Sequence, residues 1–388
     1  MTPATRSRLL RPALGLCVAV LGSALLVSPA RAGAAAGPWP EALHDPAHSA
    51  GAPVVGPSTG TVEWTRQLDG NITPGPSIGT NGAVYVATNS GVLYALDLST
   101  GDDLWTFEGG GPFRGETDLS VSPLVLPSGS VLWPGPNDTL YEISPTGHAL
   151  WSHRFGAMVL SPVLAGTRVY VELMSGTLWQ LQIGSGVPVL GWSLRIGHTS
   201  FGSPAVGTDG EVVTTADKSV VGVVDDGSRG VIAWRRQTGA DIEVSPAVGP
   251  DGDVYVSAND GSVYRLSPHG ALRWKRHIGQ ESYSSSSVSE AGMLYFGDNG
   301  GDLNVVRAAT GALVRVDHGR QGIWGAQAID ARGDVYFGTQ GREIYGYGPS
   351  GRRLFTVTAS GPIDSYPALS GNGTLVIGDE AGTLYAIG

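Results

Sequence analysis

The sequence predicts an all-β protein, an eight-bladed β-propeller of four-stranded blades. Three observations lead to this prediction: a turn-rich composition, a segment that repeats eight times, and a strand near the N-terminus that completes the last repeat. Glycine (59 residues) and proline (25 residues) exceed a fifth of the 388 residues without a Gly-X-Y period. Such a composition is typical of many short elements joined by tight turns and disfavours long helices.

The first 32 residues have the pattern of a secretory signal peptide. Arg6, Arg8 and Arg11 precede an apolar run from residue 13 to 27, and small residues follow up to Ala32. The run is shorter than the roughly 20 residues that a membrane span needs. We therefore predict cleavage after Ala32, a secreted or periplasmic protein, and no membrane span in the mature chain.

The charge and cysteine content of the mature chain exclude several classes of protein. The leader holds four Arg and no acidic residue, so the mature chain has a net charge of -14, and its only lysines are Lys218 and Lys275. Nucleic-acid binding depends on basic side chains that displace counterions, so this composition argues against it. The one cysteine, Cys17, lies in the leader, which leaves no disulfide and no thiolate metal site in the mature protein.

Internal repetition is the strongest signal in the chain. The stretch that starts at Pro76 recurs seven times at intervals of about 41 residues. The equivalent starts are Pro76, Pro123, Pro162, Pro204, Pro246, Ser286, Gln327 and Pro367. Because four-stranded units of this length bury both faces only when neighbours stack on them, the repeat predicts propeller blades.

Each repeat divides into four strands at recognisable turns. Asn81-Gly82 and Asp251-Gly252 mark a hairpin between the first two strands. A second glycine turn precedes the third strand, which carries an aromatic residue in six repeats and Asn304 in the sixth. The fourth strand ends in an aromatic residue that we predict to dock the blades, and the sixth repeat has Arg315 there instead. The docking residues are Trp64, Trp105, Trp151, Trp192, Trp234, Trp274 and Phe355.

The two ends of the chain predict how the ring closes. The eighth repeat stops at Gly388 after its third strand, and residues 59–64 match the spacing of residues 100–105 in a fourth strand. We therefore expect the N-terminal strand to complete the last blade, which also covers edge strands that would otherwise aggregate. The predicted organisation is a signal peptide (1–32), a lead-in segment (33–57) and an eight-bladed propeller (58–388).

The segment A-L-D-L-S-T-G-D-D-L-W at residues 95–105 resembles the tryptophan-docking repeat of the pyrroloquinoline quinone (PQQ)-like propellers. H-D-P-A-H-S at residues 44–49 resembles the short lead-in of exported members. The resemblance covers nearly the whole mature chain. It implies the propeller fold, in a family that contains quinoprotein alcohol dehydrogenases and also non-catalytic scaffolds such as BamB, which takes part in outer-membrane protein assembly.

For a quinoprotein dehydrogenase the resemblance implies an adjacent Cys pair, a calcium ion held by Glu, Asn and Asp, and a catalytic Asp. The mature chain has no cysteine, its length leaves no room for the loops that enclose the quinone, and no carboxylate matches the catalytic or calcium motif. We therefore predict no catalytic residue, no bound metal and no cofactor. PQQ with calcium belongs only to the alternative reading, a PQQ-dependent oxidoreductase.

Candidate binding residues come from the loop before each first strand, which opens at the mouth of a propeller channel. The position three residues before each repeat start is varied, as in a binding mouth, although an unconstrained loop would look the same. An insertion after Gly109 adds polar residues on this face. The candidates are Arg114, Glu116, Asp118, Phe201, Glu243, Tyr283, Trp324, Asp364 and Tyr366. Trp324 and Tyr366 are suited to anchor a peptide or stack on sugar rings, but Trp324 packed under its own loop would fit equally.

These observations favour an exported, non-enzymatic scaffold, expected to be monomeric, that binds an unknown protein or cell-envelope component. The two alternatives are the PQQ-dependent oxidoreductase and a carbohydrate-binding propeller. Fold alone does not choose among them, because one fold hosts many functions.

Overall fold

The computed structural model describes residues 38–113, 121–184, 186–198, 201–278, 280–319 and 321–388. These ranges contain 32 β-strands in eight four-stranded antiparallel sheets and no helix, hence no helix that could cross a membrane. The sheets form a ring of blades, so the predicted eight-bladed propeller is confirmed. The predicted signal peptide lies outside the described residues.

Strands β2 to β29 form blades 1 to 7, four consecutive strands to a blade, each ordered from the channel outward. Blades 1 to 3 consist of β2 (Ser77–Ile78), β3 (Ala83–Ala87), β4 (Val92–Asp97), β5 (Asp103–Glu108); β6 (Leu124–Val125), β7 (Val131–Gly135), β8 (Thr139–Ile143), β9 (Ala149–Arg154); and β10 (Val163–Ala165), β11 (Arg168–Leu173), β12 (Thr177–Gln182), β13 (Val189–Arg195). Blades 4 and 5 consist of β14 (Ala205–Val206), β15 (Val212–Ala216), β16 (Ser219–Asp225), β17 (Gly230–Gln237); and β18 (Ala247–Val248), β19 (Val254–Ala258), β20 (Ser262–Leu266), β21 (Leu272–His277). Blades 6 and 7 consist of β22 (Ser287–Val288), β23 (Met293–Gly297), β24 (Asp302–Arg307), β25 (Leu313–His318); and β26 (Ala328–Ile329), β27 (Val335–Gly338), β28 (Glu343–Tyr347), β29 (Arg353–Thr358).

Blade 8 joins the two ends of the described chain. It consists of β30 (Ala368–Leu369), β31 (Leu375–Gly378), β32 (Thr383–Ile387) and β1 (Val62–Gln67). The N-terminal strand β1 pairs antiparallel with β32, with Trp64 opposite Ala386. The expected closure of the ring by the N-terminal strand is thus confirmed.

Burial decreases along each blade from the channel outward. The inner strand β2 and the next strand, β3, are buried at every residue, whereas the outermost strand β5 alternates between exposed and half-buried residues. An inner strand has neighbouring blades on both sides, so small and β-branched residues fill it, while only alternate residues of an outer strand face another blade. The repeat pattern of short apolar runs followed by alternation reflects this gradient.

Hydrogen bonds from serines link consecutive blades around the channel. The Ser122 N–H donates to Ser161 Oγ (2.7 Å), the Ser203 N–H to Ser245 Oγ (2.9 Å), and the Ser245 N–H to Ser285 Oγ (3.1 Å). Blade 8 reaches blade 1 through Ser365, whose hydroxyl donates to Pro74 O (3.0 Å). Polar contacts therefore join the blades at the channel, and apolar packing joins them farther out.

The predicted docking tryptophans lie at the outer joints between blades. The Trp105 indole N–H donates to Pro145 O of blade 2 at 2.9 Å. Its ring packs on Gly147, where a Cβ would come within 2.9 Å of the ring and where φ is +83°. Cross-blade tryptophan bonds are also made by Trp64 to Leu98 O, Trp192 to Asp225 and Trp274 to Ala308 O. The Trp234 indole N–H instead donates to Glu211 of its own blade, and its ring packs on Gly270 of blade 5.

Arg315 occupies the docking position of blade 6, where the sequence has no aromatic residue. Its guanidinium donates to Pro349 O of blade 7 at 2.5 Å, the carbonyl equivalent to Pro145 O in blade 2. It also pairs with buried Asp317 at 2.8 Å. The absence of a tryptophan therefore does not leave this joint without a cross-blade contact.

Candidate functional site

The inner strands have two distinct ends. Where the structure describes them, the residues three positions before the repeat starts lie at one end, which we call the mouth. The second residue of each inner strand lies toward the other end, which we call the far end. The sequence predicts all candidate binding residues near the mouth, whereas the far end is covered by the chain itself.

The lead-in segment from residue 39 to 57 follows the far end of the ring through seven blades. Trp39 and Ile78 form an antiparallel bridge, and the Val125 N–H donates to Pro40 O at 2.7 Å. The later contacts proceed around the ring in chain order: Leu164 N–H to Glu41 Oε2, Val206 N–H to Pro46 O, Val248 N–H to Ala47 O, Val288 N–H to Ser49 O and Ile329 N–H to Ala50 O. The lead-in therefore satisfies inner-strand amides that the blades leave unpaired.

The buried lead-in carries unusual backbone and titration properties. Leu43, His44, His48 and Ala50 all have φ between +55° and +81°, a region that costs free energy for residues other than glycine. Burial lowers the pKa of His48 to about 4, against the opposing effect of its hydrogen bond to Pro246 O. Burial raises the pKa of Glu41 well above its usual value. The ring thus holds this segment in a conformation that the free chain would not favour, and burial there disfavours the charged forms of His48 and Glu41.

At the mouth, three successive loops bring Glu243, Tyr283 and Trp324 together; we call this group the mouth arc. The Tyr283 and Trp324 rings meet edge to face with centroids 6.0 Å apart. The Trp324 indole N–H donates to Asn299 Oδ1 at 2.8 Å, and 36% of this residue remains exposed. Trp324 is therefore held in place without being covered by its own loop.

The mouth arc is acidic as well as aromatic. The pKa of Tyr283 is raised first by burial and then by the nearby charges of Glu281 and Glu243. The Tyr283 hydroxyl donates to Glu281 Oε2 at 3.3 Å. Two carboxylates beside two aromatic rings form a surface suited to a cationic or peptide ligand, because rings supply contact area and carboxylates attract basic groups.

The remaining predicted residues do not join this group. Asp364 is buried and accepts a hydrogen bond from Gln340 Nε2. Tyr366 is half-buried and packs beside Gly75, where a Cβ would lie 2.9 Å from the tyrosine Cβ. Phe201 is half-buried and belongs to the loop next to that of Glu243, two loops from Tyr283. Arg114, Glu116 and Asp118 lie outside the described residues.

The described carboxylates do not fit a calcium and quinone site. Within the described ranges, no three His, Cys, Asp or Glu side chains come close enough to hold a metal ion. Glu172 is fully buried and accepts one hydrogen bond from the Thr214 hydroxyl, and burial raises its pKa well above the usual value. Calcium takes roughly six to eight oxygen ligands, and among the described residues no two further His, Cys, Asp or Glu side chains approach Glu172 to complete such a set. We derive no chemistry through such a group, and the expectation of no cofactor stays a prediction.

Sequence reasoning missed two contributors to the site. Asn299 and Glu281 support the mouth arc from the neighbouring turns, and nothing in their types or spacing marks them. The role of the lead-in was also missed, because most of its ring contacts use backbone carbonyls. One sequence signal could have indicated that the far end is covered. The second residue of the inner strands is apolar in nearly every blade, which is typical of residues that pack against a buried partner.

The sequence model of the family described as outer membrane protein assembly factor BamB matches residues 52–128 and 189–316, just over half of the chain. BamB of Shewanella oneidensis is 26% identical over 187 residues, which cover 44% of this chain and 42% of that protein. The match thus spans well under half the length of that relative.

Solved structures share the fold at low identity. The quinohemoprotein alcohol dehydrogenase of Comamonas testosteroni has a TM-score of 0.74 at 10% identity, over 90% of this chain and 80% of that chain. BamB of Moraxella catarrhalis has a TM-score of 0.66 at 16% identity, over 84% and 98%. The resemblance to PQQ-like propellers is confirmed, and at these identities the structural likeness establishes the fold only.

Proposed function

Because the chain belongs to the family of outer membrane protein assembly factor BamB, we propose that it is an exported, non-enzymatic scaffold. Its ligand is a polypeptide or other cell-envelope component, bound at the mouth arc. The name of the family supports a role in assembly, and the signal peptide predicted at residues 1–32 supports export.

The observation that carries the proposal is the Tyr283–Trp324 pair at the mouth. Exposed aromatic rings supported by neighbouring hydrogen bonds are typical of the residues that dominate binding energy in protein interfaces. The far end is occupied by the lead-in, so the mouth is the end of the ring at which an outside partner can approach the inner strands.

The charge of the protein indicates the kind of partner. The full chain has a net charge of -10, and Glu243 and Glu281 place negative charge beside the aromatic pair. Opposite charge on a partner accelerates association and selects its orientation. We therefore propose a partner segment that carries Lys or Arg together with apolar side chains.

Site-specific photocrosslinking in the native host tests the proposal. A photoreactive phenylalanine replaces Tyr283 in one variant and Leu150 in another; Leu150 is 52% exposed on the outer strand of blade 2 and serves as the matched control. We expect a discrete adduct from position 283 that weakens in 0.5 M salt, and no such adduct from position 150. Adducts from the blade edge alone, or from neither position, would overturn binding at the mouth.

A further inference from the structure

A cavity of about 380 Å³ lies between blades 5 and 6. Its volume falls at the lower end of the range for small-molecule pockets. The lining residues that matter here are Arg276, Ile278, Gln280, Asp298, Asn304 and Val316. The cavity and the mouth arc are separate surfaces, although Asn299 lies next to one and bonds to the other.

Other blades fill the equivalent space with their own aromatic ring. Asn304 lies opposite Phe296 in blade 6, as Tyr264 lies opposite Val256 in blade 5 and Tyr385 opposite Ile377 in blade 8. The same register holds an aromatic residue in six of the eight blades: Tyr94, Tyr141, Trp179, Tyr264, Tyr345 and Tyr385.

The phenols of blades 5 and 8 show what this space accepts. The Tyr264 hydroxyl accepts a hydrogen bond from Gly239 N–H at 2.9 Å, in the loop that follows the preceding blade. The Tyr385 hydroxyl likewise accepts from Ser360 N–H at 2.7 Å and donates to Asp379 Oδ2 at 2.9 Å. The phenol therefore bridges two blades, and Asn304 is too short to do so.

Asp298 is the blade 6 counterpart of Asp379, since each follows the glycine that ends the second strand. Asp379 accepts bonds from Ser360, Gly361, Thr383 and Tyr385. Asp298 is 3% exposed, and among the described residues its carboxylate accepts only from Asp302 N–H (3.0 Å) and Asn304 Nδ2 (3.0 Å). A carboxylate has about four acceptor sites, so Asp298 can accept further hydrogen bonds from a group in the cavity.

Arg276 provides hydrogen-bond donors at the same cavity, and no described residue accepts from its side chain. It is half-buried on the outer strand of blade 5, and within the described residues it makes no hydrogen bond or ion pair. A guanidinium presents five N–H donors and suits a backbone carbonyl or a carboxylate. The cavity thus combines an acceptor for a hydroxyl, apolar walls and a donor for a carbonyl.

We propose that this cavity binds the tyrosine side chain of a polypeptide. The ring takes the place that Tyr264 and Tyr385 occupy in their own blades, its hydroxyl donates to Asp298, and Arg276 donates to a carbonyl of the same peptide. This inference goes beyond the proposed function and does not depend on the mouth arc.

Ligand-observed NMR with the mature protein tests the proposal, with N-acetyl-tyrosinamide, N-acetyl-phenylalaninamide and phenol as probes. We expect tyrosinamide to bind about tenfold more tightly than phenylalaninamide, because a hydroxyl bonded to a carboxylate adds affinity that the bare ring lacks. In Asp298→Asn that preference should fall to about twofold, since the acceptor loses its charge.

Asn304→Tyr is the decisive variant, because it should fill the cavity with an internal phenol, as in blades 5 and 8, and should keep the fold. It should lose tyrosinamide binding, whereas Val314→Ala, on the adjacent outer strand β25 of blade 6 and outside the cavity lining, should bind as the native protein does. Equal binding by Asn304→Tyr would overturn the proposal. Binding of phenol as tight as that of tyrosinamide would overturn the assignment to a peptide.

Discussion

The two ends of the channel use the same inner strands in opposite ways. At the far end, inner-strand amides of seven blades donate to six backbone carbonyls and one side-chain carboxyl group of the lead-in. At the mouth, the loops present side chains that differ from blade to blade, and among the candidate residues that the structure describes, Glu243, Tyr283 and Trp324 form a group. Backbone contacts barely depend on residue type, so the hydrogen bonds at the far end are similar from blade to blade. The contacts at the mouth use side chains and can therefore differ between blades.

Removal of the lead-in from the far end should lower the stability of the protein more than acid or changes at the mouth do. A protein that starts at Ser58 exposes the inner-strand amides and the apolar residues that pack against Trp39 and Leu43. We expect its melting temperature to fall by roughly 10 °C, because several unpaired amides each cost about 1 kcal/mol or more. Addition of a synthetic peptide of residues 38–57 should restore most of the loss. An unchanged melting temperature would mean that the far end needs no cover.

Acid should cause the second-largest loss of stability, because the lead-in at the far end holds His48 in its neutral form. Its pKa of about 4 in the folded protein lies below its ordinary 6.5, so its contribution is complete above pH 6.5 and is lost as the pH falls through about 4. The difference corresponds to on the order of 3 kcal/mol. The check is the melting temperature of the native protein and of His48→Asn between pH 7 and pH 4.

His48→Asn retains an N–H donor for Pro246 O, tolerates positive φ and does not titrate in this range. We therefore expect its stability to decline less than that of the native protein on acidification. Glu41, whose raised pKa acts in the opposite direction, is present in both proteins and cancels in the comparison. Parallel curves would show that His48 is not the acid-sensitive group.

The smallest effect on stability should come from the mouth. In Tyr283→Ala with Trp324→Ala, one edge-to-face contact and one indole hydrogen bond are lost at a partly exposed surface. We expect a loss of about 1 to 2 kcal/mol in the free energy of unfolding, measured in urea. A loss as large as that of the lead-in deletion would instead assign the aromatic pair to the structural core.

The sequence predicted the blade count, the strand order and the closure of the ring. The spacing of the eight copies gives the number and length of the blades, and the eighth copy lacks a fourth strand that the N-terminal segment supplies. It placed Tyr283 and Trp324 at one register, but only the structure shows that their rings meet. Asp364 shared that register and turned out to be buried, since the accessibility of a loop residue depends on neighbours such as Gln340.

Arg315 shows a different limit of sequence reasoning. The pattern marked it as a departure from the docking tryptophans, but residue type alone did not reveal that a guanidinium can donate to the same carbonyl as an indole. Asn304 was also marked as a departure, and there the structure shows a bond to Asp298 within the blade and a cavity in place of the cross-blade contact. The same kind of pattern break therefore has two different structural outcomes in one blade.

The pairing of β1 with β32 has a consequence for the order in which the protein is made. Trp64 emerges from the ribosome more than 300 residues before its partner Ala386, and the lead-in emerges before every blade that it contacts. Contacts so distant along the chain form slowly, because a long loop must close before they stabilise anything. The lead-in and β1 are thus synthesised before all the strands that they contact and are among the last segments to reach their final positions, and a chain interrupted during synthesis leaves β1 without a partner.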